Sequence, residues 1–190
     1  MERFLLASGN EKATTMLVSL LKETFPACTV VVAKTSSEAK RVFSGSDFDG
    51  VLINCPLSDE FGTELAEIVT SGSTASCVMI VKNENADLIS DKVENFGVMV
   101  IPKPLSKHDF YRSMRFVNAS RKRMLGIQTE NIKLRKKLEE IRTINRAKCA
   151  LIQYLSFSEQ QAHRYLEKQA MDQRCSKLEV ANKIIKMYEV

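Results

Sequence analysis

The sequence predicts a doubly wound α/β domain with a parallel five-stranded sheet, then a long connecting helix and a small three-helix all-α domain. Three observations predict it. Short apolar runs alternate with helically spaced segments through the first 110 residues, residues 106–154 hold no proline and one glycine, and two serine-led helix starts follow residue 155. Strands alternating with helices of this length imply a parallel sheet covered on both faces, because a parallel connection needs a crossover helix.

The strands are expected at residues 3–7, 28–33, 50–54, 77–81 and 98–101. Between them, apolar residues recur three and four apart: Met16, Leu17, Leu20 and Leu21; Ala39, Val42 and Phe43; Leu65, Ile68 and Val69; Leu88, Ile89 and Val93. That period marks one buried face of a helix. The arrangement is flavodoxin-like, and its chemistry belongs beyond the carboxyl ends of the strands, where strand order reverses.

From Ser106, a plausible N-cap, the last helix of this domain is expected to run on to about Tyr154. A heptad reading places Val117, Met124, Asn131, Leu138 and Asn145 at a, with Ser120, Ile127, Leu134 and Ile141 at d. Leu or Ile at d with a buried Asn at a fits a parallel two-stranded coil. A homodimer is the expected result, held by Met124, Ile127, Asn131, Leu134, Leu138 and Ile141; packing of the helix on its own domain is the alternative. Beyond the coil, Ser158 with Gln161 and Ser176 with Glu179 both fit the capping box. They start the last two helices, and Ala147, Leu151, Leu155, Ala162, Leu166, Ala170, Val180, Ala181, Ile184 and Ile185 supply a small core.

Composition sets outer limits. With 44% hydrophobic and 27% charged residues and a mean hydropathy of -0.16, the chain reads as neither disordered nor membrane-spanning. The apolar N-terminal run is too short to span a bilayer and lacks a cleavage pattern, so a cytoplasmic location with no membrane partner is expected. Five dispersed cysteines, without CxxC pairing, point to neither a disulfide framework nor a zinc site. Charge is uneven: residues 121–190 carry 16 Lys+Arg against 8 Asp+Glu, whereas residues 1–120 carry 12 against 15. The basic tail suits a polyanion partner, with a solvated basic face as the equal alternative.

Two stretches carry family resemblances. Asp49-Gly50-Val51-Leu52-Ile53-Asn54, Phe61-Gly62 and Pro102-Lys103-Pro104 are similar to the third- and fifth-strand motifs of response-regulator receiver domains, over roughly residues 1–110. A receiver needs carboxylates for Mg²⁺ and for phosphoryl acceptance. Here the acidic pair falls on Ser8 and Gly9, the acceptor on Asn54, the strand-four hydroxyl on Val81 and the aromatic switch on Val100, leaving Lys103 as the one retained member. The resemblance thus implies a degenerate phosphorylation site: an amide cannot form an acyl phosphate. Rescue by Asp47, Asp49 or Asp59 is the minor alternative, and Lys103 is expected to bond the Asn54 side chain.

The second stretch runs from Ile144-Asn145-Arg146-Ala147-Lys148-Cys149-Ala150-Leu151-Ile152 through Ser158-Glu159-Gln160-Gln161-Ala162, Leu166-Glu167-Lys168-Gln169-Ala170-Met171 and Arg174 to Leu178-Glu179-Val180-Ala181 and Ile184-Ile185. It resembles the ANTAR domain over nearly its whole length, departing at Cys149, where the family commonly has glycine. The resemblance implies RNA binding and transcription antitermination in a two-component-like regulator, by dimers engaging hairpins of a nascent mRNA leader.

Arg146, Lys148, Gln161, Arg164, Tyr165, Lys168, Arg174 and Lys177 are the candidate RNA-binding residues, since RNA loops are held by cations on phosphates with stacking and hydrogen bonds to bases. The expected domains are a pseudo-receiver at 1–112, a coiled-coil linker at 113–142 and an ANTAR domain at 143–190. No catalytic motif, metal site or cofactor fingerprint is present, so the expected protein is not an enzyme. The alternative is a protein-interaction adaptor with no nucleic-acid role, and in either case a regulatory protein partner is a candidate source of control. A DNA-binding regulator is a third, weaker reading.

Overall fold

The structure, a computed structural model, describes residues 2–188, and the described chain falls into two compact units that divide between Leu125 and Gly126. In the first unit five strands alternate with helices: β1 (Arg3–Ala7), α1 (Glu11–Thr24), β2 (Thr29–Ala33), α2 (Ser36–Ser44), β3 (Gly50–Asn54), α3 (Thr63–Gly72), β4 (Ser76–Lys82), α4 (Ala86–Val93) and β5 (Met99–Lys103). All strands are parallel, in the order β2-β1-β3-β4-β5, so strand order reverses between β1 and β3.

The alternation of side chains along each strand sends successive residues to opposite faces. Leu5, Val51, Ile53, Met79 and Val81 pack against Ala39 of α2, Leu65 and Val69 of α3 and Ile89 of α4. Phe4, Leu6, Leu52, Val78 and Ile80 pack instead against Leu17 and Leu21 of α1 and against Phe110 and Met114 of the next helix, α5 (Lys107–Leu155). Two covered faces leave the central β3 buried along its whole length, apolar up to its terminal Asn54. This is the expected doubly wound fold.

Local caps explain where the helices begin. Asn10 accepts the Ala13 N–H at 3.0 Å and Thr35 accepts the Glu38 N–H at 3.1 Å, each satisfying an orphan donor of a first turn. Ser106 does the same for α5, accepting the Asp109 N–H at 3.0 Å. Gly62, before α3, has φ +112°, and a Cβ there would lie 2.7 Å from Ile53 Cγ2 and 3.2 Å from Cys55 Sγ. Gly62→Ala adds backbone strain to overpacking and should destabilise the first unit by about 3 kcal/mol. A urea unfolding midpoint within error of the unsubstituted protein would remove this role from Gly62.

The second unit holds the last part of α5 with α6 (Glu159–Asp172) and α7 (Lys177–Tyr188). Its core is Ala147, Ala150, Leu151, Ala162, Leu166, Ala170, Val180, Ala181 and Ile184, five of the nine being alanine, which lets three short helices approach closely. Both expected capping boxes form: Ser158 with Gln161, and Ser176 with Glu179. The turn from α6 to α7 is a Schellman motif, with Cys175 N–H on the Ala170 carbonyl and Arg174 N–H on that of Met171. Its left-handed position, at φ 51°, is filled by Arg174.

Candidate functional site

Two surfaces carry the candidate residues, one on each unit. On the first, a cleft of about 460 Å³ opens at the carboxyl ends of the strands, lined by Asn10, Leu17, Asn54, Ile80 and Lys103 among others. Ser8 and Gly9 follow β1 directly and Asn54 ends β3, so all three occupy the strand ends where the sequence puts the lost carboxylates. Ser8 and Asn54 are buried, and Asn54 Nδ2 donates to Ser8 Oγ at 3.0 Å. A neutral amide–hydroxyl pair thus stands at the strand ends where the sequence reading expects a degenerate phosphorylation site.

One expectation about this cleft needs correction. Lys103 Nζ donates to the backbone carbonyl of Cys55 at 2.7 Å, not to the Asn54 side chain, whose amide is turned to Ser8. Val81, expected at the hydroxyl position, is fully buried in the core on the opposite face of the sheet. By the same alternation, Ile80 and Lys82 share the cleft side of β4, and Lys82 pairs in register with Lys103. Lys82 is a further cation on that side of the strand, one that the sequence reading did not single out. Burial, with a smaller push from the Lys82 charge, lowers the Lys103 pKa below the ordinary lysine range. Burial also pushes the Cys55 thiol up to about 12, which keeps it protonated and unreactive near neutral pH.

The three aspartates considered as substitutes have other positions. Asp59 accepts the N–H groups of Ser36 and Ser37 at 2.8 and 2.9 Å, at the start of α2, and these bonds hold its carboxyl at about 2. Asp49 sits just before β3, at the opposite end of the sheet from the cleft, where it pairs with Arg121 at 2.8 Å and accepts the Arg3 N–H at 2.7 Å. Asp47 is exposed, two residues earlier still. Among the described residues, no three His, Cys, Asp or Glu side chains stand close enough to hold a metal ion.

On the second unit the candidate cations separate into two groups. Lys148 is mostly buried and pairs with Glu159 at 3.0 Å, tying α5 to α6. Lys177 pairs with Glu167 at 2.6 Å, tying α7 to α6 and lowering the Glu167 pKa, with His163 at 3.3 Å adding to the pair. Gln161 spends its side-chain carbonyl on the Ser158 N–H of the capping box. These three have structural employment.

Arg164 and Lys168 are exposed, four residues apart and so on one face of α6, and exposed Arg174 lies just past its end. Arg146 is exposed near the end of α5. Tyr165 is 36% exposed, its ring 5.7 Å from that of Phe157 in an edge-to-face contact, so it is partly core. Tyr154, stacked on Tyr188 at 5.3 Å and 52% exposed, is a further aromatic that the sequence reading did not single out.

The residues of the expected coil seam are not covered in the single chain. Met124, Ile127, Leu134, Leu138 and Ile141 are each between 47% and 62% exposed on the continuous helix α5, and Asn131 is exposed beside them. Among the described residues no helix is long and apolar enough to cross a membrane.

Comparison with known proteins assigns both units. Residues 133–185 match the ANTAR domain. The aliphatic amidase regulator of Pseudomonas aeruginosa is 28% identical over 130 residues, which span 64% of this chain and 63% of that protein, somewhat less than two thirds of its length. A two-component response regulator from Clostridium difficile superposes with a TM-score of 0.55 at 20% identity, over 62% of this chain and 95% of that one. The non-phosphorylated HemR receiver domain of Leptospira biflexa gives 0.55 at 25% identity, over 62% and 94%. The sheet unit thus has the receiver fold.

Proposed function

We propose, from the premise that this chain carries an ANTAR domain at residues 133–185 behind a response-regulator receiver fold, that it is a dimeric RNA-binding transcription antiterminator. The observation that carries the reading is the pair of exposed cations Arg164 and Lys168 on one face of α6, with exposed Arg174 just past its end, all within the segment that matches that domain. The name of the Pseudomonas aeruginosa relative, an amidase regulator, supports the regulatory class. Each dimer holds two such faces and stabilises a pair of hairpins in a nascent leader over the competing terminator. Control runs without aspartyl phosphorylation, since Ser8, Gly9 and Asn54 offer neither a metal ligand of the needed charge nor an acceptor.

Arg174 adds a separate line of support. A non-glycine residue at a left-handed helix cap costs roughly 1 kcal/mol that glycine would avoid. Such strain is a pointer toward function. Arg174→Gly should therefore raise stability while weakening RNA binding, an outcome that unfolding cannot imitate.

The test is binding of the purified protein to a two-hairpin RNA across a salt series, beside a DNA version of the same hairpins. The expected result is RNA-selective binding that loses about tenfold or more in the Arg164→Ala/Lys168→Ala variant, with the salt slope falling by about one for each phosphate contact removed. Equal affinity for the DNA version would favour the DNA-binding reading. Binding that is absent, or indifferent to all three positions, would hand the protein to the adaptor reading.

A further inference from the structure

We propose that the cleft at the carboxyl ends of β1, β3 and β5 is a binding site for a small organic monoanion: a carboxylate carrying an apolar body. The inference does not depend on the RNA-binding reading, because it concerns the first unit alone. It rests on the cleft's volume, the sign of its charge and the character of its walls.

At about 460 Å³, the cleft falls in the size range of small-molecule sites, and it lies beside the switch point where sheets of this topology receive ligands. Among the described residues, no aspartate or glutamate lines it. A receiver cleft that has lost its acids cannot recruit Mg²⁺ well, which needs hard anionic oxygens. The retained lysine then changes meaning: in place of answering a phosphoryl group held by a metal, it becomes the dominant charge. One of its three donors is spent on the Cys55 carbonyl, which leaves two for a ligand.

The neighbouring strand adds to this polarity. Lys82 stands directly opposite Lys103 in the β4–β5 register, and like charges placed opposite on adjacent strands repel. Solvent screens both that repulsion and the Lys82 ion pair with Glu84, at 3.6 Å between two mostly exposed side chains, so Lys82 adds only weakly to the preference that Lys103 sets. An anion beside Lys103 relieves that repulsion. The start of α1 borders the same cleft through its N-cap Asn10 and through Ala13, and its dipole has the same sign preference, which Glu11 of the first turn and the Asn10 cap already answer in part.

The rest of the wall is apolar. Leu17, Ile80, Pro56 and Leu105 line it, and Met16, 46% exposed, stands at its edge. Leu17 and Ile80 are already buried beneath the cleft, but inorganic phosphate would leave Pro56, Leu105 and Met16 facing water, whereas a carboxylate with an aliphatic or aromatic body covers them. Binding is non-covalent, because the Cys55 thiol in the wall is protonated near neutral pH.

The experiment uses the full-length, ¹⁵N-labelled protein without RNA. Hexanoate and benzoate are titrated at constant ionic strength, with inorganic phosphate, hexanol and hexylamine as comparators, and backbone amide shifts are followed. The expected result is saturable shifts from one or both carboxylates at Asn10, Ala13, Leu17, Asn54, Ile80 and Lys103. Lys103→Gln should weaken that binding by about tenfold or more. Met16→Ala, at an exposed position that cannot threaten folding, should weaken it by a smaller factor. The proposal is overturned if neither carboxylate gives saturable shifts at those amides. It is overturned equally if phosphate or hexanol binds as well as the carboxylates, or if shifts arise only in the basic helices after residue 126. Loss of RNA binding leaves this result untouched, so the two readings fail separately.

Discussion

Changing Leu134 and Leu138 to lysine is expected to convert the protein from a dimer to a monomer of 21.4 kDa and to reduce its affinity for a two-hairpin RNA by about 100-fold. Both leucines are more than half exposed in the single chain, at a and d positions of the heptad, in the middle of a 49-residue helix. Full burial of a leucine contributes about 1.5–3 kcal/mol, and a dimer buries each of these twice. Lysine removes that gain and places like charges across the seam. Affinity for one isolated hairpin should stay within a few-fold, because neither residue lies on α6 or α7. Light scattering and RNA titrations on the same samples check both parts. An unsubstituted protein that is monomeric at micromolar concentration would reject the coil outright, and a dissociated variant that still binds the hairpin pair tightly would show that two linked modules are not what gives affinity.

How far the sequence revealed these features depends on whether the determining contact was local. The doubly wound parallel sheet followed from period and spacing, because apolar runs between helical segments admit few topologies, whereas its strand order is read from the structure. Asn54 at the end of β3 was legible for the same reason. The place of Lys82 was not: which of two adjacent strand residues lies on the cleft side depends on register, and a one-residue difference reverses the face. Here the alternation sends Val81 to the helix α2–α4 side and Lys82 to the cleft side. The two spent lysines of the second unit were hidden by a different cause. Glu159 lies 11 residues from Lys148 and Glu167 lies 10 from Lys177, so each ion pair exists only once two helices have packed. Arg174 gave no turn signal because an arginine is an unlikely occupant of a left-handed cap, and the Schellman bonds around it are made by backbone atoms. The capping boxes, by contrast, are contained within four residues, and both were readable.

Leu151→Ala should melt the second unit while leaving the sheet unit folded. Leu151 is 1% exposed at the centre of a core in which five of nine buried residues are alanine, so few neighbours are large enough to collapse into the space it vacates. Leucine-to-alanine changes in such positions cost about 2–5 kcal/mol, the upper part applying where relaxation is poor. A core of this size supplies roughly 3–5 kcal/mol in all. One substitution therefore consumes most of the stability of α6 and α7, and with it the common face that holds Arg164 and Lys168. Hydrogen exchange separates the units: amides in residues 159–188 should lose protection, while those of β1, β3 and β4 keep theirs, because the core around Leu5, Leu52 and Met79 contains none of the altered atoms. Ile152→Ala, one residue on and 38% exposed, is the control and should change protection little. Parallel loss of protection in both units would mean that their stabilities are coupled. Unchanged protection at residues 159–188 would mean that dimerisation, and not this core, holds the module together, in which case the Leu134 and Leu138 variant should melt it instead.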